Sequence, residues 1–190
     1  MTTHGGRANK TGKTLESIVT PTLTSQYGFE VWDYLRYKKV LESKTELLAG
    51  ELPKRLLIKR APFTTLYGSK GTTEFLLRAE NVHSTPEFPI ANPPSQFICR
   101  IECKWQQSAG SVDEKFPYLY LSCVEAMTES NIIILHGGGK YRVGAIEWLK
   151  NAVQTRKYVT PEMPQKNIRV LGIEDFMKWV SNAFDRYSVL

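Results

Sequence analysis

The sequence has little cysteine, and what it has is unpaired in pattern. Three cysteines, Cys99, Cys103 and Cys123, are an odd number without C-x-x-C spacing. They offer neither a disulfide framework nor a zinc centre, and all three read as buried thiols of a reducing compartment. No apolar run approaches the ~20 residues of a membrane span. No secretory-type apolar segment opens the chain, so the expected location is cytoplasmic and no membrane association is expected. No internal repeat is present. Gly137-Gly138-Gly139-Lys140 lacks the glycine spacing and the Ser/Thr of a phosphate-binding loop, so a tight turn is expected and no nucleotide cofactor. Acid is also in short supply. With 19 Asp and Glu against 25 Lys and Arg, the net charge is +6 and the pI near 9.2. That balance favours anionic partners, and nucleic acid and anionic membrane surfaces both satisfy it.

What is present is enough for one domain. A chain of 190 residues with 42% hydrophobic side chains can bury a real core. Residues 1–13 are small, polar and basic and read as a flexible arm; 14–190 reads as a single domain. A helix is expected from near Thr14, with Leu15, Ile18, Val19 and Leu23 on one stripe and Pro21 kinking or shortening it. Phe29–Trp32 reads as a strand and Tyr34–Leu48 as a helix. Leu56–Phe63 and Thr72–Leu77, separated by Gly68-Ser69-Lys70-Gly71, predict a hairpin. Ser84–Gln96, with four prolines, predicts a stiff surface excursion. Val112–Met127 reads as a helix with Pro117 near its first turn. Asn131–Leu135 suits a strand buried on both faces. A helix through Val143, Ile146, Leu149 and Val153, a strand at Ile168–Leu171 and a helix from Ile173 to Phe184 complete the chain.

The stretch with chemistry in it is Phe97–Gln106. As a strand it alternates, with Cys99, Ile101, Cys103 and Trp105 on one face and Arg100, Glu102, Lys104 and Gln106 on the other. Taken alone, Glu102-x-Lys104 reads first as a surface ion pair worth little. Two further acids precede it: Glu74 on the second arm of the hairpin, and Glu16 at the edge of the first helix's apolar stripe.

Glu16 on a leading helix, Glu74 on a hairpin arm and Glu102-x-Lys104 on the next strand resemble the PD-(D/E)XK nuclease superfamily, over about residues 14–153. The resemblance implies an α/β, restriction-endonuclease-like fold, with an αβββαβ core and a mixed central sheet flanked by helices. It implies a divalent-metal-dependent endonuclease of double-stranded DNA, of restriction-like or mobile-element/phage type. Magnesium, with manganese able to substitute, would be held by Glu74, Glu102 and the carbonyl of Ile101 or Cys103. Lys104 would activate the attacking water, Glu16 would complete the metal shell through water, and Gln106 would orient the nucleophile or a phosphate. Lys70, Lys115, Lys140 and Arg142 are candidate phosphate contacts. Cutting both strands makes a homodimer plausible. One departure stands out: the family usually has Asp, often after Pro, where this chain has Thr73-Glu74. That departure supports one alternative, a catalytically silent DNA-binding or structural subunit; a second alternative is a nuclease of branched or single-stranded DNA.

Overall fold

The structure is a computed structural model that describes residues 8–43, 52–90, 96–106, 113–138 and 141–186, with side chains from Thr14 onward. Six strands form one sheet in sequence order. β1 (Glu30–Asp33) runs parallel to β2 (Arg55–Thr64) through the crossover helix α2 (Tyr34–Glu42). β2, β3 (Lys70–Ala79) and β4 (Phe97–Trp105) form an antiparallel meander. β4, β5 (Asn131–Gly137) and β6 (Asn167–Gly172) are parallel. Between β4 and β5 lie a 3₁₀ turn at Asp113–Lys115, α3 (Phe116–Leu121) and a π turn at Ser122–Ala126. α4 (Val143–Gln154) joins β5 to β6, and α5 (Ile173–Ala183) follows.

This is the mixed α/β plan expected. One face of the sheet carries α1 (Ala8–Tyr27) and α5, which bury Leu15, Val19, Leu23, Phe176 and Trp179 against Phe75, Cys99, Ile101, Ile133 and Leu135. The second face is divided. Phe116, Leu119, Cys123 and Leu149 pack on Ile132 and Ile134 at one end, and Trp32, Tyr37, Leu56, Ile58 and Leu76 cluster at the other. Arg100, Glu102 and Lys104 of β4 lie on that second face, opposite Cys99, Ile101 and Cys103. Polar groups therefore sit where the apolar cover of the sheet is interrupted.

Several local expectations are corrected. α1 begins at Ala8, ahead of Thr14, and continues through Pro21 to Tyr27. The complete burial of Leu15, Val19 and Leu23, one helical turn apart, outweighs the ~3 kcal/mol that an interior proline costs. Residues 1–7 of the expected arm, and 44–48 of the helix expected after Tyr34, lie outside the described residues. The proline-rich segment is not simply a surface excursion. Thr85 Oγ1 accepts from the Phe88 N–H at 3.1 Å, and this turn drives Phe88, 2% exposed, between Phe97 and Trp179. Residues 91–95 are outside the described set. β5 is buried on both faces as its composition predicts. No helix among the described residues is long and apolar enough to cross a membrane.

Candidate active site

β4 is the strand that organises the site. Its pairing with β3 stops at Phe75↔Ile101. One step further the register sets Glu74 opposite Glu102, and there the two backbones part. The Cys103 N–H, released from the ladder, donates to Glu74 Oε2 at 2.8 Å. The Glu74 carboxylate thus takes the place of a backbone carbonyl, which fixes it at the edge of the opening.

Glu102 is 8% exposed. One of its oxygens, Oε1, accepts a hydrogen bond from Lys104 Nζ; the other, Oε2, is buried without a hydrogen-bond partner. Burial pushes the Glu102 carboxyl up to about 7; the Lys104 ammonium opposes this and the nearby Glu74 charge adds to it. Burial alone would lower the Lys104 pKa, but Glu102 and Glu74 outweigh it and raise it, so the ammonium persists at neutral pH.

Two close carboxylates, one unpartnered oxygen and a carboxyl that resists ionisation are a site short of positive charge. A hard divalent cation between Glu74 and Glu102 fits this donor set, because it offsets the repulsion and gives Glu102 Oε2 a ligand. The carbonyl of Cys103, 3.4 Å from Lys104 Nζ, lies beside the same group. Among the described residues no group of three or more His, Cys, Asp or Glu side chains forms a metal site. Backbone, water and substrate oxygens would complete any coordination sphere.

The other candidates are arranged differently. Glu16 is half-buried on α1, on the opposite face of the sheet, near enough to Cys103 for its charge to help raise that thiol's pKa after burial, Glu74 and Glu102. Gln106 is buried, and its Nε2 donates to Asp113 Oδ1 at 3.2 Å. Lys70 and Lys115 are exposed. Arg142 is exposed, its backbone N–H donating to Asp113 Oδ2 at 3.1 Å and its Nε 3.8 Å from the same oxygen. Lys140 lies outside the described residues.

Three supporting residues escape a reading of the sequence. Asp113, in the 3₁₀ turn after β4, is 7% exposed and ties Gln106 to Arg142. Tyr141 donates its hydroxyl hydrogen to the Lys104 carbonyl at 2.5 Å, and burial, foremost, raises it to about 12. Arg100, 3% exposed, donates to Glu129 through Nε (2.5 Å) and Nη2 (2.6 Å), and to Thr73 Oγ1 (2.9 Å) and the carbonyls of Ala61 (3.0 Å) and Pro62 (3.2 Å). This one guanidinium joins β2, β3 and β4 immediately beside Glu74.

The chain is thus a mixed α/β protein whose sheet opens at an acid pair, with a lysine two residues along the central strand. Residues 7–184 match the family model described as the PD-(D/E)XK nuclease superfamily domain, and the chain belongs to that superfamily. No curated protein and no solved structure gave a match. Superfamily membership assigns a nuclease domain with a nucleic-acid substrate, in a group of enzymes that generally use divalent metals.

Proposed function

We propose that this protein is a divalent-metal-dependent endonuclease of double-stranded DNA, of restriction-like or mobile-element/phage type, acting in the cytoplasm. The observation that carries the reading is Glu102. It is buried beside a second carboxylate with one oxygen on Lys104 and the other unpartnered.

In this reading Glu74, Glu102 and the Cys103 carbonyl hold Mg²⁺, with Mn²⁺ able to substitute. A bound cation polarises the scissile phosphate and lowers the pKa of water. Glu74 is held by the Cys103 N–H and keeps one carboxylate fixed while the other adjusts. Lys104 donates a hydrogen bond to the attacking water and offsets charge on the phosphate. Its carbonyl is anchored by Tyr141, which limits the swing of the strand end. Gln106, held through Asp113, orients the nucleophile or a phosphate, and Glu16, half-buried on α1, completes the metal shell through water. Lys70, Lys115, Lys140 and Arg142 contact phosphates without reading sequence. Two copies of the chain cut the two strands.

The glutamate at position 74 has a physical rationale. Its extra methylene is accommodated where β3 and β4 separate, and that is also where the ladder ends.

The test is incubation of plasmid DNA with the protein in Mg²⁺ or Mn²⁺, alongside EDTA and the Lys104→Ala variant. Metal-dependent cutting lost in both controls is expected. Retardation of DNA without cutting, or cutting that survives Lys104→Ala, defeats the hydrolytic reading.

A further inference from the structure

The β2–β3 hairpin ends in an aromatic side chain that the core does not use. Tyr67 is 82% exposed. Its ring stacks on Tyr118 of α3, with centroids 5.4 Å apart and planes 24° from parallel, and most of its surface remains open to water. We propose that this pair is a docking site for an unpaired nucleobase, so that the preferred substrate is duplex DNA carrying a short single-stranded tail. The proposal rests on the nuclease reading above and narrows its substrate class.

The hairpin tip is built to present the ring. The Thr65 N–H donates to the Ser69 carbonyl at 2.8 Å and the Gly68 N–H to the Thr65 carbonyl at 2.9 Å. The Thr65 and Ser69 hydroxyls are bonded to each other at 2.8 Å. Gly68 takes the left-handed conformation, φ 74°, that closes the turn. A ring on such a turn loses little conformational freedom when a ligand stacks on it.

Its position suits a substrate strand leaving the metal site. Lys70, Thr72 and Glu74 alternate onto one face of β3. Lys70 therefore stands about 13 Å from Glu74 by strand rise, or about four base-pair rises along a duplex axis. Tyr67 lies just beyond. On the other side, Tyr118 follows Phe116, which packs on Tyr141 at 5.6 Å between centroids, and Tyr141 holds the Lys104 carbonyl. Both rings thus hang from elements fixed to the catalytic strand. Lys70, three residues after Tyr67, and Lys115, three before Tyr118, are both exposed and add positive charge to the two elements that carry the rings.

The chemistry favours a base over other occupants. An exposed phenol ring on an element that also carries an exposed lysine pairs a π-face with phosphate-binding charge, which is the combination that binds single-stranded nucleic acid. Stacking is tolerant of base identity because every base has a π-face, so the site selects strand form and not sequence.

The experiment measures equilibrium binding in EDTA, by anisotropy, of three labelled DNAs: a blunt duplex, the same duplex with a thymidine tail, and the same duplex with a tail of abasic sites. The abasic tail keeps every phosphate and removes every base. The wild-type chain is expected to bind the thymidine tail about tenfold more tightly than the abasic tail. Tyr67→Ala should erase that difference while leaving blunt-duplex affinity unchanged, and Tyr67→Trp should preserve it. Equal binding of the two tails by the wild type, or a difference that survives Tyr67→Ala, overturns the proposal. If the blunt duplex binds with no preference among tails, only this inference fails. If none of the three DNAs binds, the nuclease reading fails with it.

Discussion

Arg60 faces Glu74 across the β2–β3 hairpin, between the pairs Lys59↔Phe75 and Ala61↔Thr73, and holds φ at 54°. A side chain in the left-handed region costs roughly 1–2 kcal/mol, and that cost falls directly opposite a carboxylate of the candidate site. The carbonyls of Ala61 and Pro62, just past the strained residue, are both held by Arg100. Backbone strain of this kind persists where the surroundings over-determine it. Arg60→Gly should therefore raise the stability of the chain by about 0.5–1 kcal/mol, read as a higher urea midpoint with an unchanged m-value. A lowered midpoint would mean that the Arg60 side chain, and not its backbone, is what matters there.

The ion pair between Arg100 and Glu129 is the largest buried electrostatic commitment near the site, with side-chain exposures of 4% and 12%. Removing one partner leaves a buried charge unpaired, so Glu129→Ala should cost about 3 kcal/mol or more. Burial would raise the Glu129 pKa, but the hydrogen bonds and charge of Arg100 outweigh it and lower it. As pH falls, the unfolded chain takes up this proton before the folded one does. The stabilisation is thus complete above the ordinary carboxylate value of 4.5 and is lost as acid reaches the depressed folded value. Denaturant titrations from neutral pH into that range should show a shallower acid decline for Glu129→Gln than for the wild type.

Glu102 has the opposite sign. Its folded value, about 7, exceeds the ordinary 4.5, so the folded metal-free chain holds a proton that the unfolded chain has released. That contribution is present below 4.5 and is lost as pH rises towards about 7. A cation must displace the same proton. Calorimetric titration with Ca²⁺ should show affinity rising with pH up to about 7 and levelling beyond it, and Glu102→Gln should abolish the binding. Affinity independent of pH across that interval would remove Glu102 from the ligand set.

How much of this could be read from the sequence depends on which residues are asked about. The alternation from Cys99 to Trp105 is a property of the strand itself, so the separation of Glu102 and Lys104 from the core side followed from period two alone. The hairpin was legible because the Gly68–Gly71 turn lies between two apolar runs, but that turn sets only the β2–β3 register; the β3–β4 register that brings Glu74 opposite Glu102 comes through a longer connection and was not. What covers a face is not local information. Arg100 shares the polar face of β4 yet is as buried as a core residue, because Glu129 arrives from a loop 29 residues away. Asp113 and Gln106 bury each other for the same reason. Glu16 sits on α1, and the side of the sheet that α1 covers is decided by where Leu15, Val19 and Leu23 find their partners.

The glycine turn after β5 shows how a motif that resembles a phosphate loop can serve packing. Gly138 holds φ at 97°, a conformation that favours glycine. A Cβ at that position would collide with the Gln106 carbonyl. The close approach exists because the Gln106 N–H donates to the Gly137 carbonyl at 3.0 Å, extending the β4–β5 pairing past Trp105. Gly138→Ala must therefore displace the end of the strand that carries Lys104. The expected result is a loss of at least 1–2 kcal/mol of stability, from left-handed strain and from overpacking against backbone. Metal-dependent cleavage should fall further than the loss of folded protein explains, because Tyr141 anchors the Lys104 carbonyl to this same turn. Comparing cleavage per folded molecule, with folding followed by circular dichroism, separates the two effects. Cleavage that tracks the folded fraction alone would confine Gly138 to packing and detach the turn from the chemistry of β4.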